Sequence, residues 1–279
     1  MSRLAKAFRW MLPLVAILLA AVSCGNNAKA PKVLVLYYSH SSNTKAVAQE
    51  FATRLGADIE EIVPVEPYGS TYQEVIECSR EERELGVLPK VNPISSELSS
   101  YDIIFLGYPV WFGTYALPMA SALEDIDLNG KKIVPFCTFG SGGLVSSIKD
   151  LAAKFPDAEI LPGYGVRAAR IEAAPQEIDR FLKAGGFVEG ECEPLEEFPA
   201  QHAVSEEEAA IFDAAVGDYP MIHAKASEVS SRPIPGGTEY KFTAEALPRE
   251  GVPQQPGAEF TVYVNALEGQ APEFTQVVR

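Results

Sequence analysis

Residues 31 to about 185 carry two rhythms of apolar and polar positions. Short, nearly continuous apolar runs alternate with stretches in which apolar residues return every three or four positions. The first rhythm suits strands covered on both faces of a sheet, and the second suits amphipathic helices lying on those faces. Five runs read as strands: Lys32 to Tyr38, Ala57 to Pro64, Asp102 to Gly107, Lys132 to Cys137 and Glu159 to Gly165. Helical patterns fill the intervals, from Asn43 to Leu55, Ser70 to Glu84, Ala116 to Leu123, Leu144 to Phe155 and Pro175 to Ala184. So regular an alternation predicts an α/β domain over residues 31–186, a doubly wound five-stranded parallel sheet with helices on both faces.

The rhythm changes after Gly185-Gly186. Residues 187–200 hold Glu189, Glu191, Glu193, Glu196 and Glu197 together with Pro194 and Pro199, which reads as an acidic, solvated linker. Residues 201–279 then open with Ser205 to Gly217, a helical pattern with an N-capping serine, an acidic first turn and a terminal glycine. Met221 to Val229, Glu239 to Ala246, Ala258 to Ala266 and Glu273 to Val278 follow as strands between Pro and Gly turns. The expected second domain is a small α+β unit, one helix on an antiparallel sheet.

The N-terminus has a pattern of its own. Arg3, Lys6 and Arg9 precede an apolar run from Trp10 to Val22, which ends in Ala21-Val22-Ser23-Cys24-Gly25. The run is short for a membrane span, which needs about 20 residues, and its flanks are those of an export signal. Residues 1–23 read as a signal peptide. The small residues before Cys24 resemble a bacterial lipoprotein cleavage box, with Cys24 as the acylated residue and 24–30 as a tether. The expected location is the bacterial cell envelope, with membrane contact through the lipid anchor only.

Composition narrows the partners. Against 23 Lys and Arg stand 38 Asp and Glu, a formal charge of −15, and loss of residues 1–23 removes three basic residues and no acidic one. Nucleic acid requires positive surface, so it is excluded as a partner. Beyond Cys24 the cysteines are Cys78, Cys137 and Cys192, without metal-site spacing. Cys137 reads as a buried core thiol, leaving Cys78 and Cys192 as a pair to be considered.

In an open α/β sheet, ligands bind beyond the carboxyl ends of the strands. Three loops there carry chemistry. The first, Ser39-His40-Ser41-Ser42-Asn43-Thr44, places hydroxyls and an amide where a helix begins, and the unpaired amides and positive dipole end of such a helix favour a phosphate. His40 reads either as a phosphate contact or as a solvent-facing loop residue, and Lys45 either as an electrostatic aid or as an exposed helix lysine. The second loop, Gly107-Tyr-Pro109-Val110-Trp111-Phe112-Gly113-Thr114, holds an exposed aromatic pair suited to stacking on a flat ring. The third, Thr138-Phe139-Gly140-Ser-Gly142-Gly143, has glycines that let backbone amides approach a heterocycle's polar edge. A phosphate cup, an aromatic wall and a polar backbone edge, in that order, describe a site for flavin mononucleotide (FMN).

The segments YYSHSSNT, GYPVWFGTYALP and PFCTFGSGG resemble the three cofactor loops of the flavodoxin family. The resemblance covers residues 31 to about 185 and implies the strand order 2-1-3-4-5, which is the order of flavodoxin itself. It implies FMN as cofactor. Ser39, Ser41, Asn43 and Thr44 would hold the phosphate, Val110, Trp111, Phe112 and Gly113 would flank the ring, and Thr138, Phe139, Gly140 and Gly142 would line its pyrimidine edge. Ser42 departs from the family, in which many members place Gly before Asn-Thr, and a serine there strains a positive φ. The C-terminal strands more faintly resemble cystatin-like domains, without an inhibitory Gln-x-Val-x-Gly loop.

The expected function is electron transfer by an FMN-binding envelope lipoprotein, with a redox partner protein or a small-molecule quinone on the other side of the exchange. No residue is expected to act as catalytic acid or base, and no metal is expected. Two other readings stand: an NAD(P)H-dependent FMN quinone or azo reductase, and a cofactor-free binding or docking lipoprotein.

Overall fold

The computed structural model describes residues 30–217, 219–248 and 257–279. The expected signal peptide and the expected acylation site, Cys24, lie outside the described residues.

The first domain runs β1 (Val33–Tyr37), α1 (Asn43–Leu55), β2 (Asp58–Glu61), α2 (Tyr72–Leu85), β3 (Ile103–Trp111), β4 (Thr114–Tyr115), α3 (Leu117–Ala122), β5 (Lys132–Phe139), α4 (Leu144–Lys154), β6 (Glu159–Ile160), β7 (Tyr164–Arg167) and α5 (Ala174–Ala184). Its parallel sheet has the order β2-β1-β3-β5, with β6 and β7 successively along the outer side of β5. The predicted fifth strand is thus one strand broken in two, and the order is the expected 2-1-3-4-5. Pro162 in the break has no N–H to give the ladder. Pro135 of β5 turns its carbonyl toward Gly163 in the same break, where a Cβ on that glycine would lie 2.8 Å away. The missing N–H of a proline in a central strand therefore faces a gap already present.

Alternate residues of each strand feed opposite faces. Val35, Phe105, Val134 and Phe136 pack under α1 and α5, against Val47, Phe51, Ile178 and Leu182. Leu34, Leu36, Ile104, Leu106 and Ile133 pack on the other side, against Met119, Leu123, Leu151 and Phe155. Phe51 is fully buried, with ring centroids 5.2 Å from Phe105 and 5.0 Å from Phe136. Burial of such a side chain contributes roughly 1.5–3 kcal/mol.

Two strands exceed their expected ends. β3 continues from Gly107 through Trp111, and β5 continues from Cys137 through Phe139. Gly107 is needed inside the strand, because a Cβ there would meet the Phe136 ring at 2.0 Å.

The second domain comprises β8 (His202–Ala203), α6 (Glu206–Val216), β9 (Ala224–Ile234), β10 (Gly237–Ala246), β11 (Glu259–Leu267) and β12 (Glu273–Val278), with an antiparallel sheet ordered β12-β11-β10-β9-β8. Ser205 and Glu208 form a capping box at the start of α6. The helix buries Phe212 against Phe242, ring centroids 5.2 Å apart. β9 begins at Ala224, later than expected, and runs on through Pro233. β8 covers its outer side only at Glu228 and Val229, so Pro233 sits on an edge where no ladder bond is lost. The 187–200 segment is not a free tether: Arg232 donates to the Glu196 carbonyl at 2.9 Å and lies over the Phe198 ring at 4.3 Å.

Cys78, Cys137 and Cys192 are all free, so Cys78 and Cys192 do not pair. Cys137 is the expected core thiol, and burial pushes its pKa well above the ordinary value.

Candidate functional site

The first loop leaves β1 and turns directly into α1. Ser42 sits at the helix N-cap in the left-handed region, φ 66° and ψ −7°, and its side chain makes no capping bond. The loop closes on itself through Lys45 N–H, which donates to Ser39 Oγ at 3.1 Å. The first helical bond runs from Ala46 N–H to the Ser42 carbonyl. Among the described residues, the amides of Asn43 and Thr44 therefore have no protein acceptor, the condition under which a helix start receives an anion. Ser41 and Ser42 are exposed and Ser39, His40 and Asn43 half-buried, while Thr44 is buried. Lys45 is held elsewhere, in a 2.8 Å ion pair with Glu61 of β2.

The second loop is a two-residue hairpin between β3 and β4. Trp111 pairs with Thr114, and Phe112 and Gly113 between them have φ of 51° and 86°. Positive φ at both positions is the requirement of a type I′ turn, which asparagine and glycine meet more easily than phenylalanine. The expected exposed aromatic pair is divided. Phe112 is 46% exposed, with the Arg83 guanidinium 5.2 Å above its ring. Trp111 is half-buried and folds back over the first loop, edge-on to Tyr68 at 5.1 Å, Tyr38 at 5.8 Å and His40 at 6.1 Å. His40 is thus an aromatic neighbour of Trp111. Pro109 and Val110 remain in β3, with Pro109 in register with Thr138.

Tyr68 was not singled out in the sequence, where it stands in a Pro-Tyr-Gly stretch without a motif. Its hydroxyl donates to Glu82 Oε2 of α2 at 2.5 Å. Burial and that bond push its pKa far above the ordinary phenol value, and burial alone is the largest influence raising that of Glu82.

The third loop starts later than expected. Thr138 and Phe139 are buried residues of β5, and the Phe139 side chain belongs to the core beneath α4, leaving only its backbone to face a ligand. Thr138 Oγ1 lies 2.7 Å from Thr44 Oγ1, joining the third loop to the first. The far end meets the second loop, since a Cβ on Gly143 would lie 2.4 Å from Val110 Cγ1. Gly140 to Gly143 form the loop proper.

Two further segments meet this loop. The Arg167 guanidinium, at the end of β7, donates through Nε to the Gly140 carbonyl at 2.9 Å. Val277 N–H of β12 donates to the Ser141 carbonyl at 2.6 Å, and Gly142 bridges to Val277 in parallel sense. A charged residue closing the otherwise apolar Gly165-Val166-Arg167 run is the signal that could have marked Arg167. Nothing local marks Val277. The resulting cleft, about 770 Å³, is lined by Tyr72, Arg80, Phe112, Gly140, Met221 and Val277 among others and, among the described residues, by no acidic side chain.

No curated protein matches the chain. Over 56% of its length it is similar to the crystal structure of a candidate flavoprotein from Bacteroides eggerthii DSM 20697, at 25% identity and a TM-score of 0.50, covering 98% of that protein. A candidate flavoprotein from Bacteroides uniformis ATCC 8492 aligns over 54% of the chain and 99% of its own, at 26% identity and a TM-score of 0.48. A Lactobacillus acidophilus NCFM flavoprotein, crystallised in complex with FMN, aligns over 54% and 98% at 19% identity and a TM-score of 0.46. The Flavodoxin family model matches residues 32–177, more than half of the chain. With its sheet order and the three convergent loops, the chain belongs to the flavodoxin family.

Proposed function

We propose that this protein binds FMN non-covalently and carries electrons between a donor and an acceptor in the bacterial cell envelope, anchored by lipid at Cys24. The observation that carries the reading is the convergence of the three loops, tied by Thr44 to Thr138 and by Gly143 to Val110. The residues suit the cofactor end by end. Unpaired amides and hydroxyls of Ser39 to Thr44 suit a phosphate, the Phe112 ring suits an isoalloxazine face, and the amides beyond Phe139 suit a pyrimidine edge. The flavin supplies the redox chemistry when bound. The chain supplies position and electrostatics: α1 offers its start to the anion, Phe112 and Trp111 bound the ring side, and the buried Thr138 keeps the edge loop against the phosphate loop.

A small-molecule quinone as acceptor is the second reading, favoured by the extension of the cleft beyond the three loops to Tyr72, Tyr219 and Met221. About 770 Å³ lies within the range of small-molecule sites. Purified full chain, mixed with FMN and freed of excess, is expected to show oxidised-flavin absorbance. A colourless protein after that treatment sinks the proposal. Rapid NADPH oxidation with a quinone would then assign a reductase, and reduction only by a protein donor would assign a shuttle.

A further inference from the structure

Arg167 is a buried cation in direct contact with the third loop. It is 7% exposed, its Cζ lies 3.4 Å from the Phe274 ring centroid, and its Nη1 donates to the Phe274 carbonyl at 2.9 Å. The nearest carboxylate, Glu273, stands 3.9 Å from Arg167 and is held more closely by Arg170, at 3.0 Å. Arg170 also takes Glu177 at 2.7 Å. Arg167 therefore keeps a buried positive charge that is only partly offset, and it spends its Nε on a carbonyl of the third loop.

That carbonyl has a geometric consequence. In a planar trans peptide the C=O and the following N–H point in opposite directions. Gly140 C=O is drawn to Arg167 and Ser141 C=O to Val277, so the N–H groups of Ser141 and Gly142 point away from β7 and β12. Neither has an acceptor among the described residues. The residues flanking this loop meet the other two loops, Thr138 at Thr44 and Gly143 at Val110.

We infer that the C-terminal domain is a working part of the cofactor site: Val277 and Arg167 turn two amide donors of the third loop toward the flavin's pyrimidine edge, and the Arg167 charge favours the reduced, more negative ring. This rests on the FMN reading above. The acidic composition alone argues for a lowered potential, whereas the charge nearest the edge loop is a buried cation, whose field is screened far less than that of surface carboxylates.

Three variants of the full chain test it. Val277→Pro removes the donor that faces Ser141, and FMN is expected to bind at least tenfold more weakly while thermal unfolding remains cooperative. Arg167→Gln removes the charge and keeps an amide. It is expected to weaken reduced FMN about tenfold more than oxidised FMN, a fall of about 30 mV for a two-electron couple, with Arg167→Lys restoring most of the potential. If Val277→Pro does not fold, the Arg167 pair decides. Equal potentials for wild type, Arg167→Gln and Arg167→Lys overturn the inference, as does a folded Val277→Pro with wild-type affinity. A wild-type chain that binds no FMN instead overturns the reading beneath it.

Discussion

The hydroxyls of Thr44 and Thr138 meet at 2.7 Å, both buried, one at the start of α1 and the other near the end of β5. Through this contact the first and third loops are held together. A buried hydroxyl deprived of its partner costs about 1–3 kcal/mol. Thr44→Val is expected to destabilise the protein by that amount in urea unfolding, because Thr138 Oγ1 is left unsatisfied. Thr44→Val with Thr138→Val should recover most of the loss, since both ends are then apolar and of like shape.

Phe112 stands where a type I′ turn prefers asparagine. Phe112→Asn should therefore raise stability, by about 0.5–1 kcal/mol, as left-handed strain on a bulky side chain is relieved. The same change removes the exposed ring, so FMN affinity should fall as stability rises. Parallel unfolding and fluorescence-quenching titrations would show the two effects moving oppositely.

Gly107→Ala should be among the most damaging single-methyl additions in the chain. The new Cβ would lie 2.0 Å from the Phe136 ring inside the packed face beneath α1. Overpacking of this kind costs about 1–3 kcal/mol and sometimes more. A fall in the urea midpoint at an unchanged slope is the expected readout.

Glu60 gives the fold an acid-sensitive contact. Burial pushes its carboxyl upward, but donors from Ser96 and Ser95 outweigh that and hold it below the ordinary 4.5. Ser95 N–H and Ser96 N–H donate at 2.6 and 2.9 Å. With a lowered folded-state pKa, the contribution is complete above 4.5 and is lost as pH falls through the lower folded value. Glu60→Gln should be less stable than wild type near neutrality, and the gap should close on acidification. A gap that persists unchanged at low pH would contradict the assignment.

Much of the first domain was legible because a strand buried on both faces must be apolar throughout, and Val33 to Leu36, Ile103 to Leu106 and Ile133 to Phe136 satisfy this locally. The N-cap serine and terminal glycine of α6 were legible for a similar reason, being demands of the helix itself. Strand ends were less so. Tyr108 to Trp111 and Thr138 to Phe139 look like loop because Pro and Gly surround them, yet β3 and β5 continue by pairing with each other as far as Pro109 and Thr138. The place of Trp111 depended on Tyr68 and His40, which reach it only after the chain has folded.

By itself, the sequence determined the alternation of strands and helices and the three polar or glycine-rich loops, since each is a short-range requirement of backbone and burial. Only the tertiary structure decided which of those loops face one another, that Lys45 pairs with Glu61, and that β12 and Arg167 tie back the third loop. Those outcomes join residues as distant as Ser141 and Val277, and no local pattern encodes a hydrogen bond whose partners meet only through the packing of two separate cores.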